Sequence, residues 1–175
     1  MRINMMTVKT RQQRGFTLIE MLLYIAILAI VAVTISSFIF MVYTSRIKTS
    51  TISEVEQQGE QTMSLITQNI RNSSSITSPV AGVSASSLTL VEYNGTLSPT
   101  VLNQSGNVIQ IKEGAGAVVA LCSNRVVVSG LSFQNISNSG SHGMVRIQFT
   151  LTHINSSNRN EYTYSKTFTS TASLR

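Results

Sequence analysis

Aspartate is absent from this chain of 175 residues; all seven acids are Glu. Tryptophan is absent as well, and there are only one Cys, two His and two Pro. These gaps exclude much chemistry. A Ser-His-Asp triad cannot be built, and a Glu substitute would need Glu92, Glu113 or Glu161 brought into place. An oxygen-rich Ca²⁺ loop of the usual kind also needs the missing Asp. His142 and His153 lack the closely spaced His, Cys or acidic neighbours of a zinc site, and each reads as a surface histidine. Cys122 cannot form a disulfide within the chain; it reads as a small buried hydrophobe, with intermolecular pairing as the other use. Gly114-Ala115-Gly116 lacks the third glycine and following helix of a dinucleotide loop, so it is a hairpin turn. No enzyme, catalytic residue, cofactor or metal is expected.

Charge is scarce too, at 11% of residues, about half the share usual in a soluble domain. The net +6 is concentrated at the start, where Arg2, Lys9, Arg11 and Arg14 precede the first acid, Glu20. From Phe16 onward nine basic residues face seven Glu. Nucleic acid is therefore not the default partner.

What is present is a long apolar run. From Phe16 to Val42 the only charge is Glu20. A helix of that length rises about 40 Å at ~1.5 Å per residue, enough to cross a hydrocarbon core of ~30 Å. Thr34, Ser36 and Ser37 are tolerable there because their hydroxyls can return to the helix backbone. Basic residues before the run, and none until Arg46, place the amino terminus in the cytoplasm and the rest outside. A secretory signal peptide fits poorly, because its apolar region would be shorter and end in a small-x-small site.

Glu20 needs its own explanation. A carboxylate at mid-bilayer costs about 2.5–3.5 kcal/mol on insertion scales, and less near the interface. Cleavage after Gly15 would create an α-amine on Phe16, one helical turn from Glu20. That amine could pair with its own Glu20 or with the Glu20 of a neighbouring helix, where it would set an assembly register.

Arg14-Gly15-Phe16-Thr17-Leu18-Ile19-Glu20, behind a basic leader and ahead of an uninterrupted apolar helix, resembles the precursor signature of type IV pilins and pseudopilins. The resemblance implies cleavage between Gly15 and Phe16 by a prepilin peptidase, with Lys9, Arg11 and Arg14 in the leader, and methylation of the Phe16 amine. It implies Glu20 as the assembly charge, other pilin or pseudopilin subunits as partners, and a single-pass membrane stage before incorporation into a filament. Many pilins carry a helix-bending proline where this chain has Thr34-Ile35-Ser36-Ser37, so a smoother helix is expected.

Beyond Tyr43 the helix should become amphipathic. Ile52, Val55, Gly59, Met63, Ile66 and Ile70 recur at steps of three and four, with Leu65 widening the stripe and Glu54, Glu56, Gln57, Glu60 and Gln61 on the solvent side. Gly59 on the apolar face suggests close approach by the packed sheet, or simply a weak point in the helix. Alternation over 145–151 and 162–168 reads as strands, as do Leu88–Glu92, Val108–Lys112, Ala117–Cys122, Val126–Val128 and Leu131–Phe133. Asn94-Gly95, Ser105-Gly106, Gly114–Gly116, Ser139-Gly140 and Asn155–Asn160 read as turns.

The expected organisation is a leader over 1–15, a membrane-spanning or filament-core helix over 16–43 and its amphipathic continuation over 44–72. A linker over 73–87 and a β-rich head over 88–175 complete it. The fold class is α+β, a long helix packed on an antiparallel sheet. By resemblance the subunit is a minor one, similar to J-type pseudopilins of type II secretion. Two other readings are an uncleaved signal-anchored binding module and a DNA-uptake pilin. The latter would need Lys112, Arg125, Arg146, Arg159, Lys166 and Arg175 to converge into a basic patch.

Overall fold

The computed structural model describes residues 15–138 and 142–175. The turn expected at Ser139-Gly140 and the leader's Lys9, Arg11 and Arg14 lie outside the described residues. The chain divides into two compact units at Tyr43/Thr44. Helix α1, Leu18–Asn72, supplies nearly all of the described part of the first and the opening segment of the second.

In the first unit every residue from Gly15 to Tyr43 is exposed. No glycine or proline interrupts α1 before Gly59, so its backbone ladder continues without a break. Thr34 Oγ1 donates to the Val31 carbonyl and Ser36 Oγ to that of Ala32, both at 2.8 Å. These hydroxyls are satisfied within the helix, as an apolar surrounding requires.

The second unit folds around one hydrophobic core. Two antiparallel sheets replace the single sheet expected. One runs β1 (Ser73–Ser78), β3 (Ser87–Glu92), β4 (Thr100–Ser105), β5 (Val108–Glu113), β6 (Val118–Ala120). The other runs β2 (Ser84–Ala85), β7 (Val126–Asn135), β8 (Met144–His153), β9 (Ser165–Ser173). Val55, Ile66 and Ile70 of α1 join Leu88, Leu90 and Leu102 from one sheet and Phe133, Ile147, Phe149 and Leu151 from the other in the core. Period-two burial along β3 and β8 follows the alternation in their sequences.

Several expectations are corrected. Residues 73–87 are not a linker: Ser73 begins β1 directly after α1, and β2 pairs with β7 through Ser84↔Gln134 and Ala85↔Phe133. Neither strand is legible, because serine-rich segments carry little β signal, and β2 is in addition held by a partner far along the chain. β4, with Asn103, Gln104 and Ser105 at its end, alternates over too few residues to stand out in the sequence. The separate candidates at 126–128 and 131–133 form one strand, with a bulge between Ser129 and Ser132 where Gly130 takes φ +63°. The last strand starts at Ser165 rather than Tyr162, which lies in a 3-10 turn at Asn160–Tyr162. That turn is held by Lys48, whose Nζ donates to the Thr163 carbonyl at 2.6 Å, and by Asn155 Nδ2, which donates to the Arg159 carbonyl at 2.8 Å.

On α1, Thr51 and Thr62 are buried while Leu65 is 43% exposed. Thr62 fits the interior because its hydroxyl donates to the Leu121 carbonyl at 3.2 Å and contacts Cys122 Sγ at 3.5 Å. Cys122 is a free, buried thiol. Gly59 meets the ring of Phe168: a Cβ built there would lie 2.1 Å from Phe168 Cζ. The ring in turn stacks on Phe149, with centroids 5.5 Å apart.

The solvent-side assignment of Glu54 and Glu56 also changes, since both clasp the sheet. Glu54 pairs with Arg125 at 3.3 Å and with His153 Nε2 at 3.5 Å. His153 is thus no surface histidine; its side chain is 9% exposed and its ring stacks on Tyr162. Glu56 accepts from Lys166 Nζ at 2.7 Å. That hydrogen bond, reinforced by the ammonium charge, lowers the Glu56 pKa and raises that of Lys166. The lowered carboxyl stabilises the fold above the ordinary Glu range and loses its effect as pH falls through the lowered value. The raised ammonium stabilises fully below the ordinary Lys pKa and loses its effect as pH rises through the raised one. A Glu56→Gln variant should therefore differ slightly from the native chain at neutral pH and converge with it at both extremes. A pH series of thermal midpoints measures this, and the exposed position keeps the difference small.

Candidate processing and assembly site

The residues singled out for processing stand at the start of the described chain. Gly15, Phe16 and Thr17 precede α1, and Glu20 lies in its first turn. Thr17 caps the helix: its Oγ1 accepts the Glu20 N–H at 3.3 Å, while its carbonyl accepts the Met21 N–H at 3.2 Å. Thr17-Leu18-Ile19-Glu20 has the spacing of a capping box, a signal in the sequence that the functional reading of Glu20 had obscured. A carboxylate in the first turn also faces the positive end of the helix dipole. Glu20 thus has a local structural reason as well as the proposed intermolecular one.

Among the described residues the Glu20 carboxylate has no ion-pair partner. Among the described residues nothing lies within 4 Å of a Cβ built on Gly15. Phe16 is 70% exposed, and its ring meets that of Tyr24 edge-on with centroids 6.2 Å apart. The arrangement offers an accessible backbone bond after Gly15, a capped helix start and a lone carboxylate on an exposed apolar helix.

The six candidate basic residues of the head are dispersed. Arg125, Arg159 and Lys166 are engaged by Glu54, Glu161 and Glu56. Lys112 lies on β5 and Arg146 on β8, in different sheets, and Arg175 lies past β9. Among the described residues no group of three or more His, Cys or acidic side chains could hold a metal.

Comparison with protein families matches residues 10–36 to the prokaryotic N-terminal methylation motif. Comparison with curated proteins and with solved structures yields no match. The motif spans Gly15, Phe16, Thr17, Glu20 and the apolar run as far as residue 36.

Proposed function

We infer that this chain, a pilin-like protein of the type IV pilin and pseudopilin family by its methylation motif and α+β architecture, is a minor filament subunit processed after Gly15. The observation that carries this reading is the coincidence of three features at one point. The matched motif covers an open Gly15-Phe16 bond just ahead of α1 and, in the first turn, a capped apolar helix whose Glu20 carboxylate is unpaired among the described residues. In this reading a prepilin peptidase removes the leader and the Phe16 amine is methylated. Other pilin or pseudopilin subunits are then the partners. Before assembly the apolar helix crosses the membrane, with the basic leader on the cytoplasmic side and the head outside. After extraction, helix-to-helix packing replaces lipid contacts, and the Glu20 carboxylate is neutralised by the amine of a neighbour.

Minor status, and the likeness to J-type pseudopilins, rest on the form of the last strands and a lone thiol in place of a disulfide loop. A DNA-uptake role has less support, since half of the candidate cations are held by carboxylates. A signal-anchored binding module would keep its first fifteen residues.

Intact-mass measurement on protein from cells with their own processing machinery tests the proposal. The expected species begins at Phe16 and is heavier by one methyl group, whereas a full-length chain would overturn it. Glu20→Ala should still be processed but be depleted from sheared filaments; normal incorporation would remove the assembly role.

A further inference from the structure

We propose that β9 is an open sheet edge that accepts an extended segment of another polypeptide, apolar at alternate positions and carrying a carboxylate near Arg71. β9 closes the order β2-β7-β8-β9, and among the described residues no strand pairs with its outer side. Its hydrogen-bond phase is fixed at both ends. His153 N–H donates to the Tyr164 carbonyl and Leu174 N–H to that of Gly143, so even-numbered residues turn their backbone groups toward β8. Ser165, Thr167, Thr169, Thr171 and Ser173 therefore direct N–H and C=O groups outward. An open edge of nine residues is longer than soluble proteins usually leave unguarded, and it carries neither proline nor an outward-facing lysine.

A groove of about 920 Å³ runs beside this edge, between β9 and the last three turns of α1. Met63, Phe168 and Leu174 give it apolar lining, and its ends carry opposite charge. Glu60 stands at one end, Arg71 and Arg175 at the other. Arg71 is exposed and has no ion-pair partner among the described residues. Strand addition gives affinity through main-chain hydrogen bonds and specificity through pockets for alternate side chains, and both parts are present here. A strand antiparallel to β9 would start beside Arg71, so its acid belongs at its amino end and a base at its carboxyl end. A second copy of β9 would leave the groove unfilled, because its own Phe168 and Ala172 lie in its core.

The test uses the full chain in detergent micelles with two labelled synthetic peptides. One reads Glu-Thr-Val-Thr-Val-Thr-Lys, with Glu, both Val and Lys on one face; the other exchanges its terminal Glu and Lys. The first should bind saturably and slow hydrogen exchange at the amides of Thr167, Thr169 and Thr171, leaving those of Phe168 and Ser170 unchanged. Thr169→Pro removes an outward N–H without touching the β8 ladder, and should weaken binding by about tenfold or more. Arg71→Glu should reverse the peptide preference and keeps the test decisive if the proline variant does not fold. Equal binding of both peptides to every variant, or no binding to the native chain, would overturn the proposal. So would self-association abolished by Thr169→Pro in the absence of peptide, which would assign the edge to a second copy.

Discussion

Replacing Gly15 by leucine is expected to abolish removal of the first fifteen residues and to leave the unprocessed chain folded. The second half of that statement makes the first informative. A side chain at Gly15 meets nothing within 4 Å among the described residues. Loss of processing would therefore reflect a cleft in the processing enzyme too narrow for a side chain, and not damage to the substrate. The measurement is the intact mass of Gly15→Leu beside that of the native chain, with circular dichroism to confirm the fold. Full processing of Gly15→Leu would remove this residue from the cleavage site.

Gly59 is the opposite case. Gly59→Leu should destabilise the head by roughly 2 kcal/mol, although leucine is the better helix former by up to about 1 kcal/mol. The Phe168 ring occupies the volume a side chain would need, and it cannot simply swing away. Phe149 stacks against it, and the Lys166 ammonium lies 5.4 Å from its centroid. Urea unfolding of the full chain should show the loss. Phe168→Ala, costly in the native background through the cavity it leaves, should cost about 1 kcal/mol less beside Leu at 59, a coupling typical of residues in contact. Additive effects would mean that the ring and the glycine do not share that space.

The sequence was most legible where one physical demand dominates. Between Phe16 and Val42 hydropathy alone sets the element, and β8 alternates cleanly because one of its faces is buried and the other wet. Legibility fell where partners are distant. Ser84 and Ala85 form a strand only because Phe133 and Gln134 lie alongside, and no local pattern announces it. His153 looked like a surface residue because it ends a strand, yet Glu54, almost a hundred positions earlier, reaches over it from α1. Thr62, absent from the apolar stripe read in the sequence, is buried because its hydroxyl finds the Leu121 carbonyl, 59 residues away. The candidate site was readable as a motif, but the Thr17 cap gave Glu20 a second, local role.

The return of β2 to the sheet that holds β7 bears on how the head comes to exist. The chain leaves one sheet after β1, enters the other as β2 and returns as β3, so residues 79–86 stitch the two layers together. Gly82 N–H and the Asn135 carbonyl, and Asn135 Nδ2 and the Pro79 carbonyl, close the stitch at 2.7 Å each. None of these bonds can form until the chain has been delivered as far as Asn135. The hairpin β4–β5 can form early because its strands are neighbours, whereas β2 must wait for β7 and the apolar stripe of α1 for β7 and β8. During delivery Val55, Ile66 and Ile70 are therefore uncovered on a helix already made. Any factor that shelters newly delivered chains would find that stripe first, and would be displaced as Phe149 and Phe168 arrive.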